Sequence, residues 1–236
     1  MPKKTKKWWG RLFLWLVILP LTIVLILQLY FFLQIGWWVN NNPSSTRFMR
    51  DQLSQLQEHN PKAKLKHQWV EYDRISSHLK RAIIASEDSR FSDHQGVDWE
   101  ALLKAYEKNA KKGKIVAGGS TITQQLAKNL FLSGGRSYVR KGQELAITYM
   151  LEFWMDKRRI YEIYLNVAEW GPGIFGAEAA ARHYFGVSAS RLSPVQAAYL
   201  AALLPNPRVY GKNIYSPYMS RRAGVILRRM NAAALP

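Results

Sequence analysis

The sequence predicts an all-α protein in which one transmembrane helix precedes a mostly helical domain. Residues 12–39 form a run of 28 residues without a charged side chain, and about 20 apolar residues are enough to span a bilayer core. From Ser76 onward, apolar residues recur mostly at helical spacing, and alternating runs of β-branched residues are scarce. The roughly 190 residues after the apolar run are a normal size for one domain.

Composition excludes several classes of protein. The chain has 236 residues, with 34 Lys and Arg against 16 Asp and Glu, so its net charge is +18. The absence of cysteine excludes a disulfide scaffold, a thiolate metal site and a cysteine nucleophile. An apolar fraction of 48% is too high for a disordered chain. The positive charge indicates an anionic partner, for which nucleic acid, anionic lipid and a phosphorylated substrate are the candidates.

The N-terminal segment is typical of a membrane anchor that stays on the protein. Four lysines and Arg11 precede the apolar run, so the positive-inside rule puts residues 1–11 in the cytoplasm as a basic tail. Tryptophan pairs at 8–9 and 37–38 have the arrangement of an aromatic belt. A cleaved signal peptide is the alternative, but its apolar region would have only about 7–15 residues and would end in a small-residue cleavage site.

This anchor determines the predicted domain organisation and location. We expect a single pass through the cytoplasmic (inner) membrane by residues 12–39, a polar linker at 40–46, and a periplasmic or extracytoplasmic domain over 40–236. An exported domain argues against nucleic acid as the partner. Because the chain beyond Arg11 still carries +13, we expect it to bind anionic membrane lipids, which attract each Lys or Arg by about 1 kcal/mol.

Capping patterns predict several helix boundaries. Thr121 and Gln124 have the spacing of a capping box. Ser193, Pro194 and Gln196 combine an N-cap, a proline at the first helical position and a glutamine at N3, and this helix should end before Pro205. Between about residues 137 and 169 there are few helix breakers. That segment is expected to cross the core because it is apolar around much of its circumference, with Leu145, Ile147, Met150, Leu151, Phe153 and Trp154.

The first candidate site is the segment 87–96, EDSRFSDHQG. Leu79, Ile83 and Ile84 precede it at helical spacing, so a helix would deliver Glu87 near its C-terminal end. Partial desolvation there would raise the pKa of the Glu87 carboxyl toward a value useful for a general base or acid. The alternative is a surface Glu-Asp pair that caps a helix or forms a salt bridge. No second histidine lies at ligand spacing from His94, so no metal site is predicted.

The second candidate site is the segment 118–129, GGSTITQQLAKN. Glycines that lead into a helix N-terminus present backbone N–H groups and the positive end of the helix dipole to an anion. Gln124 or Gln125 and Lys128 are spaced so that one helix face could carry an amide and an ammonium group together. The order of residues is not that of a phosphate-binding P-loop. A simple capped helix without a ligand remains the alternative.

A third segment places a second carboxyl, Glu144, among the cations Arg136, Arg140 and Lys141. These cations could bind a diphosphate, with arginine offering bidentate contacts. The alternative is a plain ion pair between Arg140 and Glu144 at positions i and i+4. The pairs Arg221–Arg222 and Arg228–Arg229 are interpreted as a solvated or lipid-facing surface. Two carboxyls and many cations in a membrane-tethered helical domain together suggest chemistry on a lipid-linked diphosphate sugar.

These segments, in this order, resemble the peptidoglycan glycosyltransferase family, the polymerising module of class A penicillin-binding proteins. Further matching segments are KRRIYEIYLN at 157–166, GAEAAARHYFG at 176–186 and LSPVQAAYLAALLPNPRVY at 192–210. The resemblance covers about residues 70–215 and is strongest to the monofunctional biosynthetic members. Ser77 and Lys80 fit the Ser-x-x-Lys element of a transpeptidase, but its SDN and KTG elements do not occur. Gln196 stands where many members have glutamate.

The resemblance implies a fold, a substrate and a reaction. The fold would be a lysozyme-like helical head with a small apolar jaw that dips into the membrane, at about residues 106–137 and including Leu130–Leu132. The substrate would be lipid II, a disaccharide-pentapeptide on undecaprenyl diphosphate. Glu87 would deprotonate the acceptor's 4-hydroxyl, which attacks the anomeric carbon of the donor with inversion, and undecaprenyl diphosphate would leave.

The resemblance also assigns roles to the other candidate residues. Glu144 would support the leaving group or a divalent ion. The cations that would neutralise the diphosphate are Lys128, Arg136, Arg140 and Lys141. The residues that would line the cleft are Ser120, Thr121, Gln124, Gln125 and Asn129. No tightly bound cofactor is expected. A divalent cation, Mg²⁺ or Mn²⁺, is a candidate for assisting at the diphosphate. The expected partners are lipid II, the growing glycan chain and membrane lipids, with cell-wall synthesis or division proteins as further candidates.

Two other functions are compatible with parts of this pattern. A lytic muramidase of the same general fold would also use one glutamate, but it would cleave glycan and would need no diphosphate-binding cations. A membrane-anchored scaffold that only binds cell-wall precursors would lose nothing when Glu87 is replaced. The cations at 128–141 argue against a lytic muramidase. The presence of two acidic residues together with those cations argues against a scaffold that only binds precursors.

Overall fold

The computed structural model describes residues 3–114, 118–132, 134–135 and 137–236, without the side chains of residues 3–13. The chain divides into two compact units, Met1–Asn41 and Asn42–Pro236. Helices dominate the second unit, as the sequence predicts. Arg136, one of the predicted diphosphate ligands, lies outside the described residues.

The first unit is one long helix. Helix α1 spans Lys3–Trp37, and its segment Leu14–Trp37 is a strongly apolar stretch of 24 residues. By length and composition this segment is able to cross a membrane. The helix therefore fits a single-pass anchor, and it ends two residues before the end of the uncharged run.

The second unit contains ten helices in its described part. Thr46 accepts the N–H of Met49 and begins the first of them, which ends at His59 before Pro61. The ten helices are α2 (Arg47–His59), α3 (Ser77–Glu87), α4 (Trp99–Lys112), α5 (Ile122–Phe131), α6 (Tyr138–Trp154), α7 (Lys157–Val167), α8 (Ala177–Phe185), α9 (Pro194–Leu203), α10 (Pro207–Tyr210) and α11 (Pro217–Arg229). Short 3-10 turns lie at Tyr72–Arg74, Ala189–Arg191 and Met230–Ala232.

A small sheet, which the sequence analysis did not predict, accompanies the helices. Its strands are β1 (Lys66–His67), β2 (Glu169–Gly171) and β3 (Ile174–Phe175), in the order β1-β3-β2. Strand β3 pairs with β1 in parallel and with β2 antiparallel, with an irregular register between Glu169 and Gly171. Strands of two or three residues are too short for an alternating pattern, so periodicity could not reveal them.

The core is built around α7. Every residue from Ile160 to Val167 is buried, and α7 packs against α5, α6 and α8. The prediction of one segment crossing the core at 137–169 was wrong in part, because Met155 is extended and Asp156 begins a new helix by accepting the N–H of Arg159. On α6 only part of the apolar surface is buried, and Phe153 is 72% exposed.

The two predicted capping boxes are confirmed. Thr121 and Gln124 exchange side-chain and backbone hydrogen bonds at the start of α5, and Ser193 and Gln196 do the same at the start of α9. Pro194 occupies the first turn of α9, which ends before Pro205. These caps determine where two helices begin, and α5 carries several of the candidate site residues.

Candidate active site

Glu87 is the last residue of α3, as the sequence predicts. Ser76 caps the helix by accepting the N–H of His78, and Leu79, Ile83 and Ile84 are buried. The helix ends at Asp88, which is extended and whose Oδ2 accepts the N–H of Ile122 at 3.0 Å. The carboxyl end of α3 is thereby joined to the first turn of α5.

The Glu87 side chain lies in a largely desolvated position with polar groups at both oxygens. It is 10% exposed. Gln125 Nε2 donates to Oε2 at 3.1 Å, Ser86 Oγ donates to Oε1 at 3.4 Å, and Arg222 Nη2 lies 3.8 Å from Oε1. Burial raises the pKa of Glu87, while the hydrogen bond from Gln125 and the charge of Arg222 lower it. A carboxyl with a raised pKa suits proton transfer near neutral pH.

Gln125 is itself oriented by the core. The hydroxyl of Tyr164 on α7 donates to Gln125 Oε1 at 3.0 Å, which fixes the amide so that its NH₂ group faces Glu87. Burial holds the pKa of Tyr164 well above its usual value, so the hydroxyl stays protonated and remains a donor. Tyr164 was not among the predicted site residues, although it lies in the segment KRRIYEIYLN at 157–166 that resembles the family.

The second carboxyl, Glu144 on α6, is buried and neutralised by two cations. Ser137 caps α6 by accepting the N–H of Arg140. Arg140 Nη1 lies 2.9 Å from Glu144 Oε2, and Lys141 Nζ lies 2.5 Å from Oε1. The ion pair expected as the alternative for this segment is therefore present. It also holds both cations in fixed positions, as a site for a diphosphate would require.

Lys128 is half-buried in the same charged cluster. It follows Gln125 by one turn of α5, so α5 connects the surroundings of Glu87 with this cluster. Burial lowers the pKa of Lys128, the charges of Glu144 and Glu169 raise it, and those of Arg140 and Lys141 lower it. A partly desolvated ammonium gains strongly from a bound anion.

Glu169, which was not among the predicted site residues, extends this cluster. It is a buried residue of β2, and Arg208 Nε lies 3.1 Å from its Oε1. Burial raises the pKa of the Glu169 carboxyl, and the charge of Arg208 lowers it. The sequence pattern gave no indication of this pair, because Glu169 lies on a strand that was not predicted and Arg208 follows it by 39 positions.

The remaining predicted residues of the second segment differ in what their side chains do. Thr121 and Gln124 are buried and engaged in the capping box, and Thr121 Oγ1 donates to the carbonyl of Gly96 at 2.5 Å. Asn129 is buried as well. Ser120 is exposed and lines a cavity of about 150 Å³ with Glu87 and Asp88. Thr121 and Gln124 thus hold the start of α5, while Gln125 binds the carboxyl and Ser120 lines the cavity beside it.

The interpretation of Arg222 as part of a solvated or lipid-facing surface was wrong. Arg222 lies beside Glu87 and lines a cavity of about 460 Å³ with Ser86, Tyr218, Arg221 and Arg229, among others. The helical spacing of the sequence indicated that Arg222 lies on the apolar face of α11. Buried Met219 and Ile226 lie three residues before and four residues after Arg222, so the three share one face of α11.

Asp88, His94 and Asp98 form a polar cluster within 4.8 Å of one another. Their donors and acceptors serve the fold. His94 Nε2 lies 3.0 Å from Asp88 Oδ1, and Asp98 accepts the N–H of Ala101 and the guanidinium of Arg90. The hydrogen bonds from Arg90 lower the pKa of Asp98 to about 2. We interpret the cluster as a brace for the turn between α3 and α4.

The apolar surface of the predicted jaw region differs from the expectation. Leu130 and Leu132 are buried, so they pack within the protein. The exposed apolar side chains lie on α4, where Trp99, Leu103 and Tyr106 occupy one face at helical spacing. Tyr106 is 71% exposed. The exposed apolar face therefore begins before residue 106.

The helical fold, the buried carboxyl of Glu87 and the cations on α5 and α6 agree with a comparison against known families. Residues 52–231 match the model of the transglycosylase family. The chain belongs to that family.

Individual relatives cover nearly the whole chain. A biosynthetic peptidoglycan transglycosylase of Janthinobacterium sp. (strain Marseille) is 72% identical over 226 residues, which are 96% of this chain and 98% of the relative. The protein of the same name from Herminiimonas arsenicoxydans is 69% identical over the same shares. That from Bordetella pertussis is 52% identical over 242 aligned positions and all of both chains.

Proposed function

We propose that this protein polymerises lipid II into glycan strands by inverting transfer and releases undecaprenyl diphosphate. As a member of the transglycosylase family with relatives named for peptidoglycan synthesis, it is a peptidoglycan glycosyltransferase. The observation that carries the residue assignment is the desolvated Glu87 carboxyl, held by Gln125 one helical turn from Lys128.

Glu87 acts as the general base in this proposal. The carboxylate takes the proton of the acceptor's 4-hydroxyl as that oxygen forms a bond to the anomeric carbon of the donor. The bond from this carbon to the diphosphate oxygen breaks, and its electron pair leaves with undecaprenyl diphosphate. The raised pKa of Glu87 supports this role, because a more basic carboxylate accepts a proton more readily.

The cations of α5 and α6 stabilise the leaving group. Charge accumulates on the diphosphate as the glycosidic bond breaks, and fixed cations in a partly desolvated site stabilise such charge without reorganising. Lys128, Arg140 and Lys141 fulfil this requirement, and Glu144 holds the last two in place. Arg136 is assigned to the same group from the sequence alone.

We propose that the protein binds no metal tightly. Both oxygens of Glu144 are already within hydrogen-bond distance of a cation, so this carboxylate is poorly suited to bind Mg²⁺ or Mn²⁺ as well. A divalent ion that assists the reaction would be held by the oxygens of the diphosphate itself.

The membrane attachment follows from the same proposal. Residues 12–39 anchor the protein in the inner membrane with residues 1–11 in the cytoplasm, and the catalytic unit lies outside. The exposed apolar face of α4 would dip into the bilayer and bring the site to a substrate that stays in the membrane. Proteins of cell-wall synthesis or division are candidate partners.

The test uses the full-length protein in detergent with labelled lipid II. Wild type, Glu87→Gln and the exposed control Glu58→Gln are compared, and products are separated by length before and after muramidase digestion. We expect glycan polymer from wild type and Glu58→Gln and none from folded Glu87→Gln. Polymer from Glu87→Gln at the wild-type rate would refute the base assignment, and glycan cleavage in place of synthesis would favour a lytic enzyme.

A further inference from the structure

Arg222 is the one cation within 4.0 Å of the Glu87 carboxyl in the part of the chain that the structure describes. Its Nη2 faces Oε1, whereas Gln125 binds Oε2. The two carboxyl oxygens therefore interact with side chains from two different helices, α11 and α5. The charge of Arg222 at one oxygen and the hydrogen bond from Gln125 at the other favour one orientation of the carboxyl.

We propose that Arg222 is a positioning residue that orients the Glu87 carboxylate and keeps it ionised, without occupying the oxygen that takes up the proton. The inference rests on the proposed role of Glu87 as the base. It extends that role by assigning a function to a helix that the candidate motifs do not include.

Arg222 Nη2 lies 3.8 Å from Glu87 Oε1. This distance exceeds the range of a hydrogen bond from N–H to oxygen, so the guanidinium does not take a lone pair of Oε1. A full positive charge at this distance still favours the ionised carboxyl. The side chain of Arg222 is 31% exposed, which weakens but does not abolish the interaction.

The backbone of α11 holds Arg222 firmly in this place. Ser216 caps the helix by accepting the N–H of Met219, and Pro217 occupies its first turn. Met219, Ala223 and Ile226 are buried, and the helix packs on α3 and α9. The guanidinium thus reaches Glu87 from a fixed element.

The other groups near Glu87 do not replace the charge of Arg222. Gln125 and Ser86 are neutral donors, and the negative charge of neighbouring Asp88 raises the pKa of Glu87. Tyr161 and Tyr164 on α7 are buried and stay neutral, because burial raises the pKa of each hydroxyl. Helix α9 and the turn Met230–Ala232, which also pack on α3, contain no Lys, Arg, Asp or Glu.

The test measures the protonation of Glu87 directly and through the reaction. Full-length protein with ¹³C-labelled glutamate carboxyls is titrated by NMR in detergent, with the Glu87→Gln spectrum identifying the Glu87 resonance. The same variants are assayed for kcat/KM of lipid II polymerisation against pH. The variants are Arg222→Met, Arg222→Lys and the matched control Arg228→Met, an exposed arginine on the same helix.

We expect Arg222→Met to move both the Glu87 titration and the acidic limb of the pH profile upward by about one pH unit. The limb moves up because a base with a higher pKa becomes protonated, and inactive, at a higher pH. Arg222→Lys should restore at least part of the shift, and Arg228→Met should leave both curves unchanged. A merely structural role would lower the rate at every pH without moving the limb.

An unmoved Glu87 titration in folded Arg222→Met would overturn the inference, as would an equal shift in Arg228→Met. If Arg222→Met does not fold, Arg222→Lys and Arg222→Gln are compared in the same titration, and equal pKa values for Glu87 in those two variants refute the proposal. Absence of polymer from wild type at every pH would refute the proposed function instead. The NMR titration would still decide whether Arg222 controls the charge of Glu87.

Discussion

Gly96 ends the turn that follows the Glu87 helix, and its replacement by alanine should destabilise the protein strongly. Its φ is +86°, and a Cβ atom there would lie 2.6 Å from Thr148 Cγ2 and 3.1 Å from Glu152 Cγ. Thr148 cannot easily move away, because it is buried and its hydroxyl donates to the carbonyl of Glu144 at 2.8 Å. The carbonyl of Gly96 also accepts the hydrogen bond from Thr121 that holds the start of α5.

The magnitude follows from two separate costs. A left-handed backbone conformation costs an L-residue about 1–2 kcal/mol, and overpacking a well-packed site costs about 1–3 kcal/mol. Gly96→Ala should therefore lower the free energy of unfolding by about 2–5 kcal/mol. Gly186 provides a matched control, because its φ is +67° and a Cβ atom there would meet nothing within 4 Å. Gly186→Ala should cost only the backbone part, about 1–2 kcal/mol.

The assay is urea unfolding of the full-length protein in detergent, followed by tryptophan fluorescence, with the free energy extrapolated to zero denaturant. Trp170 is completely buried and reports on loss of the core. The difference between the two alanine variants isolates the cost of the contact with Thr148. If the two variants lie within about 0.5 kcal/mol of each other, the packing argument is refuted.

The hydrogen bonds and charges around the site lead to three further expectations. Burial raises the pKa of Glu87, so the free energy of unfolding of wild type falls as pH rises through that pKa. In urea unfolding, the stability of Glu87→Gln relative to wild type should therefore increase from about pH 4 to about pH 7. A difference that stays constant with pH would contradict this expectation. Tyr164→Phe removes the hydroxyl donor that orients Gln125. It should slow lipid II polymerisation about fivefold, which is equivalent to about 1 kcal/mol. An unchanged initial rate would exclude the orienting role of Tyr164. Ser193→Ala removes the N-cap of α9 and should lower the free energy of unfolding in urea by about 1 kcal/mol. The polymerisation rate should stay unchanged, and a slower reaction would show that α9 contributes to the site.

Local patterns were sufficient for those parts of the protein that depend on near neighbours in the chain. The capping boxes at Thr121 and Ser193 were predicted correctly because capping involves residues three positions apart. The end of α3 at Glu87 followed from the spacing of Leu79, Ile83 and Ile84. The break within the predicted core segment at 137–169 is also local, because Asp156 caps a new helix by accepting the N–H of Arg159, but this cap was overlooked.

The candidate site divides into residues within short motifs and a residue outside them. The motifs identified Glu87, Lys128 and the pair Arg140–Glu144, because each lies within a short segment of recognisable composition. They could not identify Arg222, which is 135 positions beyond Glu87 and comes beside it only through the packing of α11 on α3.

The sequence by itself determined the class of the protein, the apolar helix at its N-terminus and the segments that carry its acids and cations. The class follows from the resemblance of several short segments to a known family, and the other two properties follow from composition, periodicity and spacing, which are local. Only the tertiary structure decided which of those groups meet, how deeply Glu87 is buried and which oxygen each partner faces. Burial and charge separation are properties of three-dimensional packing, so the chemistry of the Glu87 carboxyl depends on contacts between helices that are distant in the chain.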